Sequence, residues 1–192
     1  MNMRQGTTPL PCCLGMYKMN LSLEKWPTYR LAWFALFITA FTLEAAALFF
    51  QYGMDLKPCI MCVYQRTAVM GLIFAGLVGM TMPKNFIVRV VAWVSWGVSA
   101  IWGFLIAQEH ADIQANPEDH FFLTCDFLPN YPSWMPLHEW FPQVFNPTGD
   151  CGNIDWQFIG LSMPGWMSVI FLGYAAAFIT VFSWRLLKLR KI

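Results

Sequence analysis

Cys59-Ile60-Met61-Cys62 stands at the start of an apolar run of roughly membrane-spanning length, with Pro58 just before it and Arg66 one helical turn beyond Cys62. If Pro58 takes the first helical position, which tolerates a residue without an N–H, both sulfurs lie among unpaired backbone N–H groups at the positive end of the helix dipole. Such surroundings favour thiolate, and a CxxC pair with thiolate character suggests redox chemistry. Arg66 follows Cys62 by four residues and Cys59 by seven, so the three share a face, and helical side chains lean toward the N-terminus. The guanidinium therefore points back toward the sulfurs. An arginine inside a span costs about 2.5 to 3.5 kcal/mol on insertion scales, which marks Arg66 as functional.

Two further cysteines, Cys125 and Cys151, lie 26 residues apart in a polar region. In an oxidising compartment they are expected to form a disulfide. Its role stays open on spacing alone: a structural bridge closing a loop of this length stabilises by about 3 to 4 kcal/mol on the chain-entropy model, whereas a pair next to a second pair can exchange disulfides with it. Acidic neighbours disfavour thiolate there, which would keep the pair oxidised and concentrate thiolate character at Cys62. Cys12 and Cys13 sit on the N-terminal tail and read as bystanders. Only one pair has the CxxC spacing of a zinc knuckle, and His110, His120 and His138 all fall outside the expected spans. Neither a zinc centre nor a bis-histidine haem is expected, and no metal.

Composition supplies the elements that must hold these groups. Of 192 residues, 57% are hydrophobic and 12% charged, with a mean hydropathy of +0.46, more apolar than a soluble domain. Four stretches are long and apolar enough to cross a bilayer, at about 31–50, 61–82, 86–107 and 160–182. The fold expected is an all-α membrane protein, a four-transmembrane-helix bundle forming one domain. Residues 1–30 and 183–192 are its tails, and a loop over about 108–162 joins spans three and four. Gly71, Ala75 and Gly79, and Ser95, Ser99 and Gly103, repeat at four-residue spacing as helix-packing surfaces. Trp26, Trp93, Trp140, Trp166 and Trp184 fall near expected membrane interfaces as anchors. The aromatic, proline-broken stretch 127–145 is expected to lie on the membrane surface.

Charge orients the chain. Lys18, Lys25, Arg30, Lys84, Arg89, Arg185, Lys188, Arg190 and Lys191 fall on one side, while the long loop holds eight of the eleven acids and no lysine or arginine. The positive-inside rule puts both termini in the cytoplasm and the long loop and CxxC outside. A net charge of +1 without a basic patch argues against nucleic acid as partner. Glu44-Ala45-Ala46-Ala47 offers small residues that would suit a cleaved signal, but the apolar run continues through Leu48-Phe49-Phe50, so the first segment reads as a span. Residues 1 to about 20 show no periodicity and read as a tail, or as an upstream extension if translation starts at Met19.

Four spans, a CxxC opening the second and a separated cysteine pair before the fourth resemble the bacterial DsbB family of quinone-linked disulfide oxidoreductases. The residues that carry this are Lys57-Pro58-Cys59-Ile60-Met61-Cys62-Val63-Tyr64-Gln65-Arg66, Glu109-His110, Thr124-Cys125-Asp126-Phe127, Pro142-Gln143-Val144-Phe145, Gly149-Asp150-Cys151 and Asp155-Trp156. Vitamin K epoxide reductases also use four spans and two cysteine pairs, with the loop pair before the CxxC; here the order is reversed. The resemblance implies a protein of the bacterial inner membrane with its active site on the periplasmic side. It further implies a relay in which reduced DsbA, a soluble periplasmic thioredoxin-fold oxidant, attacks Cys125 and frees Cys151 to attack Cys59. Cys62 is left as thiolate facing ubiquinone or menaquinone, with Arg66 and His110 as the quinone-binding residues. Gln65 departs from the family, where an acid often precedes the arginine, as does the cysteine-bearing tail. Two other readings are an oxidase dedicated to one partner, whose loss would spare most envelope disulfides, and a structural four-span protein, in which serine at Cys62 would be silent.

Overall fold

The structure, a computed structural model, describes residues 29–116 and 129–189. Four long helices dominate: α1 (Arg30–Gly53), α2 (Ile60–Thr81), α3 (Phe86–Ala115) and, after two single-turn helices α4 (Leu137–Trp140) and α5 (Pro142–Phe145), α6 (Met163–Leu189). Each of the four is long and apolar enough to cross a membrane, and together they form the expected four-helix membrane bundle. The departure from an all-α fold is a two-stranded hairpin ahead of α6. In it β1 (Gln157–Phe158) pairs antiparallel with β2 (Leu161–Ser162) through Ile159 and Gly160, both at positive φ, as a tight two-residue hairpin requires.

Helix α1 packs on α2, α2 on α3 and α3 on α6. Small residues permit the close approaches. A Cβ at Gly71 would run into Ser99, and the hydroxyl of Ser95 donates to the Gly71 carbonyl at 2.9 Å, so α2 and α3 meet almost backbone to backbone. The outer faces carry Phe41, Phe74, Val94, Val98, Leu105 and Leu172, all exposed. A surface this apolar suits lipid as solvent rather than water.

The end of the bundle opposite the cysteines is filled by rings. Trp93 stacks on Trp96 with centroids 5.4 Å apart, Trp33 meets both edge-on, and Phe178 and Phe182 close the cluster. The interface role expected of Trp93 is therefore incorrect: its ring is 5% exposed and belongs to the core. Nearness to a span end did not reveal which way its face of the helix turns.

Helix α3 also differs from expectation, continuing through Gln108 to Ala115, a stretch assigned to the loop from its polar residues. Ile106, His110 and Ile113, at i, i+4 and i+7, are all buried, so the helical stripe persists after the hydropathy fades. His110 thus sits on a helix inside the bundle. Beyond it, residues 129–162 fold over the cysteine end. Tyr131 and Thr67 share a 2.6 Å hydroxyl bond, the Asn130 N–H donates to the Tyr64 hydroxyl, and Gln51 and Tyr52 both donate to the Gln143 carbonyl. Trp134, Trp140 and Phe141 on this cap are exposed.

Candidate functional site

Cys59 is the N-cap of α2, and its sulfur accepts the Cys62 N–H at 3.4 Å. Pro58 therefore lies one residue before the cap, not at the first helical position. Its carbonyl is turned outward and accepts two backbone N–H groups, from Thr148 at 2.9 Å and Gly149 at 3.0 Å. Those two bonds lay the segment Thr148-Gly149-Asp150-Cys151 along the mouth of α2. The approach is so close that a Cβ at Gly149 would run into the Lys57 carbonyl.

Cys151 is brought by this contact onto the CxxC pair. Cys59, Cys62 and Cys151 carry free thiols. The Cys59 and Cys62 sulfurs are 3.0 Å apart, and the reactive atoms of Cys59, Cys151 and His110 all lie within 4.8 Å of one another. Cys59 is the central sulfur. It donates to Cys151 and to Cys62 and is buried, which pushes its thiol well above the ordinary range. Cys151 is held below the ordinary range because it accepts from Cys59 and from the backbone N–H groups of Met61 and Ile60, which outweigh its burial and the Asp150 carboxylate. This corrects the expectation that acidic neighbours disfavour thiolate at Cys151. Its sulfur faces the positive end of α2, and Asp150 is the weakest influence upon it.

His110, 2% exposed, reaches the same sulfurs from α3. Its Nε2 is 3.5 Å from the Cys59 sulfur, and its Nδ1 is 3.1 Å from the Gln65 amide nitrogen. Gln65 thus fixes the ring orientation. Arg66, 6% exposed, is deeply engaged: Nη1 donates to the Gln51 side-chain oxygen and to the Val144 carbonyl at 2.8 Å, and Nη2 to the Ala47 carbonyl at 3.0 Å. The guanidinium staples α1, α2 and α5 together. Three of the five N–H groups an arginine carries are occupied in this way, which leaves two for a ligand.

Beside Cys59 and Cys62 opens a cavity of about 300 Å³. Leu43, Ala46, Phe50, Met163, Met167 and Ile170 make its apolar wall, Cys62, Arg66 and His110 are among its polar groups, and Lys57, Asp150 and Asp155 add charge to its lining. An apolar slot with a few convergent polar groups suits a flat, lipid-soluble ring bearing oxygens. The trio Cys59, His110 and Cys151 has the donor types of a metal site. The hydrogen bonds linking the three sulfurs give the same closeness a direct use in thiol exchange.

The cysteine Cys125 falls outside the described residues, as do Cys12 and Cys13. Of the other expected site residues, Cys59, Cys62, Cys151, Arg66 and His110 come together at one end of the bundle. Sequence reasoning gave no site role to Glu44, buried in the middle of α1, or to Gln51, and it quoted Gly149 only as part of the motif before Cys151. For Glu44 the signal was present, since the cost that singled out Arg66 applies equally to an acid inside a span. For Gly149 the motif gave no role, because the neighbour that makes it matter, Lys57, is remote in sequence.

The family model for disulfide bond formation protein DsbB matches residues 29–181. A disulfide bond formation protein B from Pseudoalteromonas translucida is 52% identical over 88% of this chain and 98% of its own length. Relatives of the same name from Psychromonas ingrahamii and Shewanella sp. (strain ANA-3) are 47% and 54% identical, over 93% and 77% of this chain and 95% and 83% of their own lengths.

Proposed function

This chain belongs to the disulfide bond formation protein B family, and from that premise we propose that its thiol relay runs through Cys125, Cys151, Cys59 and Cys62 to a membrane quinone held beside Arg66 and His110. The protein is a membrane disulfide oxidoreductase that reoxidises DsbA. The observation that carries the relay is the central position of the Cys59 sulfur, hydrogen-bonded to Cys62 on one side and to Cys151 on the other.

Thiol exchange requires an attacking thiolate, a central sulfur and a leaving sulfur. Reduced DsbA attacks Cys125 of the Cys125–Cys151 disulfide and forms a mixed disulfide, and Cys151 leaves as thiolate. The α2 backbone N–H groups that lower the Cys151 thiol stabilise that leaving thiolate beside Cys59. Attack by Cys151 on Cys59 forms the Cys151–Cys59 bond and breaks Cys59–Cys62, so the electron pair departs on the Cys62 sulfur next to Arg66. The second DsbA thiol then releases oxidised DsbA from Cys125. Attack by Cys125 on Cys151 restores the loop disulfide and frees Cys59. A quinone, when bound, accepts the two electrons and two protons of the Cys59/Cys62 dithiol. An acceptor stronger than a dithiol is needed: at DsbA's potential of about −120 mV, a partner at about −200 mV leaves oxidation uphill by more than about 3 kcal/mol.

The cavity chemistry supports the acceptor site. Arg66 retains free N–H groups to hold a ring oxygen, His110 supplies a second polar contact, and the apolar wall from α1 and α6 suits the face of a ring. The charge pattern supports an inner-membrane placement with both termini cytoplasmic and the cysteine end periplasmic. The tetrad is tested by Cys125→Ser: DsbA oxidation should cease, while a small dithiol acting on Cys59/Cys62 still drives quinone reduction. Equal loss of both activities would overturn the division between the two pairs.

A further inference from the structure

Glu44 is a carboxylate in the middle of the α1 span, 5% exposed, and neither of its oxygens has a hydrogen-bond partner among the described residues. Burying such a group unpaired is costly, and an intramembrane acid calls for a named counterpart. Among the described residues the counterpart is Arg66, whose charge acts on the Glu44 carboxylate. Glu44, Ala47 and Gln51, at i, i+3 and i+7, form one stripe of α1, and the last two accept hydrogen bonds from Arg66. Arg66 gives its three hydrogen bonds to uncharged acceptors, so its charge is balanced by Glu44 at a distance rather than in a contact pair. From α6, Tyr174 turns to Thr39, more than a turn away along α1. The buried charged side chains among the described residues are Glu44, Arg66 and Arg185, and Arg185 lies toward the far end of the bundle.

One buried cation can compensate one buried anion. We propose that Glu44 is the counter-charge and proton acceptor of the acceptor site: it is a carboxylate while Cys59 and Cys62 are disulfide-bonded, and it takes up a proton when Cys62 is released as thiolate beside Arg66. The proposal rests on the reading of Cys62 as the sulfur that faces the acceptor. The exchange balances. The Cys151 thiolate, the Cys59–Cys62 disulfide, the Glu44 carboxylate and the proton lost by the DsbA thiol that opened the loop disulfide become the Cys151–Cys59 disulfide, the Cys62 thiolate and the Glu44 carboxylic acid. The proton given up by the DsbA thiol ends on Glu44, and the summed charge of Arg66, Glu44 and Cys62 remains zero. On reoxidation the two electrons leave for the quinone with two protons, one from the Cys59 thiol and one from Glu44, and the carboxylate reforms. Glu44 acts through Arg66 and is a positioning residue.

The test is infrared difference spectroscopy on the full chain in lipid, reduced minus oxidised. The wild type should gain the carbonyl stretch of a protonated, buried carboxylic acid. Glu44→Gln should lose that band, and Glu44→Asp should shift it. An absent band in wild type, or a band that persists unchanged in Glu44→Gln, overturns the proposal. Quinone reduction by Cys62→Ser is measured alongside: its survival overturns the reading of the acceptor site itself, whereas its loss with no carboxyl band overturns Glu44 alone.

Discussion

Replacing Gly149 by alanine should uncouple the two cysteine pairs without touching a sulfur. Gly149 has an ordinary negative φ, so alanine brings no backbone strain there. Its effect is steric, because the new methyl meets the Lys57 carbonyl. To relieve that contact the segment has to retreat by about 1 Å, and a misplacement of that size at a reacting centre costs up to about 10²-fold. Retreat also strains the two N–H bonds to the Pro58 carbonyl, at 2.9 and 3.0 Å, which resist at about 1 kcal/mol each. Holding the loop in place by compressing the contact is no cheaper than letting Cys151 drift from Cys59. Stopped-flow quinone reduction should therefore fall by on the order of 10- to 100-fold with reduced DsbA as donor. With a small dithiol acting directly on Cys59 and Cys62 it should stay near wild type. A DsbA-driven rate that is also near wild type would refute the view that the Pro58 contact positions Cys151.

Arg66→Met should raise the apparent KM for quinone and lower thermal stability, since the acceptors on Gln51, Ala47 and Val144 lose their donors at about 1 to 3 kcal/mol each. Arg66→Lys should fall between, because one ammonium cannot serve three separated acceptors; unchanged KM and kcat in both would make Arg66 purely structural. In a Cys125→Ser protein, alkylation of Cys151 should titrate below the ordinary thiol range and that of Cys59 above it, so acidification silences Cys59 first; the reverse order by mass spectrometry would overturn the assignment of attacker and target. A reporter enzyme active only outside the cytoplasm should work when fused near Asn146 and fail when fused after Ile192, and the opposite pattern would invert the orientation.

The four spans were readable because each is a long apolar run, and the CxxC because its spacing and place at a helix start are local facts. The end of α3 was not readable from hydropathy. Gln108, Glu109, Asp112 and Gln114 lower the average while Ile106, His110 and Ile113 keep the inner stripe going. Cys151 shows the same limit in its chemistry. Its sequence neighbour Asp150 argues for a reluctant thiolate, yet its sulfur answers to Ile60 and Met61, some ninety positions earlier in the chain. Trp93 looked like an anchor from its place near a span end, and only the packing of α3 between α2 and α6 made it core. Where a property depended on which remote backbone lies alongside, the order of residues was silent.

The cavity lies where α1 and α6 face one another. Leu43 and Phe50 line one side of that seam, and Met163, Met167 and Ile170 the other. Its volume of about 300 Å³ stands at the lower end for small-molecule sites, room for a ring but not for a long isoprenoid tail. On the proposed reading of this cavity as the quinone site, a ring held there with its tail in the lipid is delivered by a two-dimensional search within the bilayer. Occupancy then follows the mole fraction of quinone in the lipid rather than its amount per volume of buffer. Enlarging the vesicles' lipid pool at fixed total quinone should slow turnover as dilution would, and adding buffer should not.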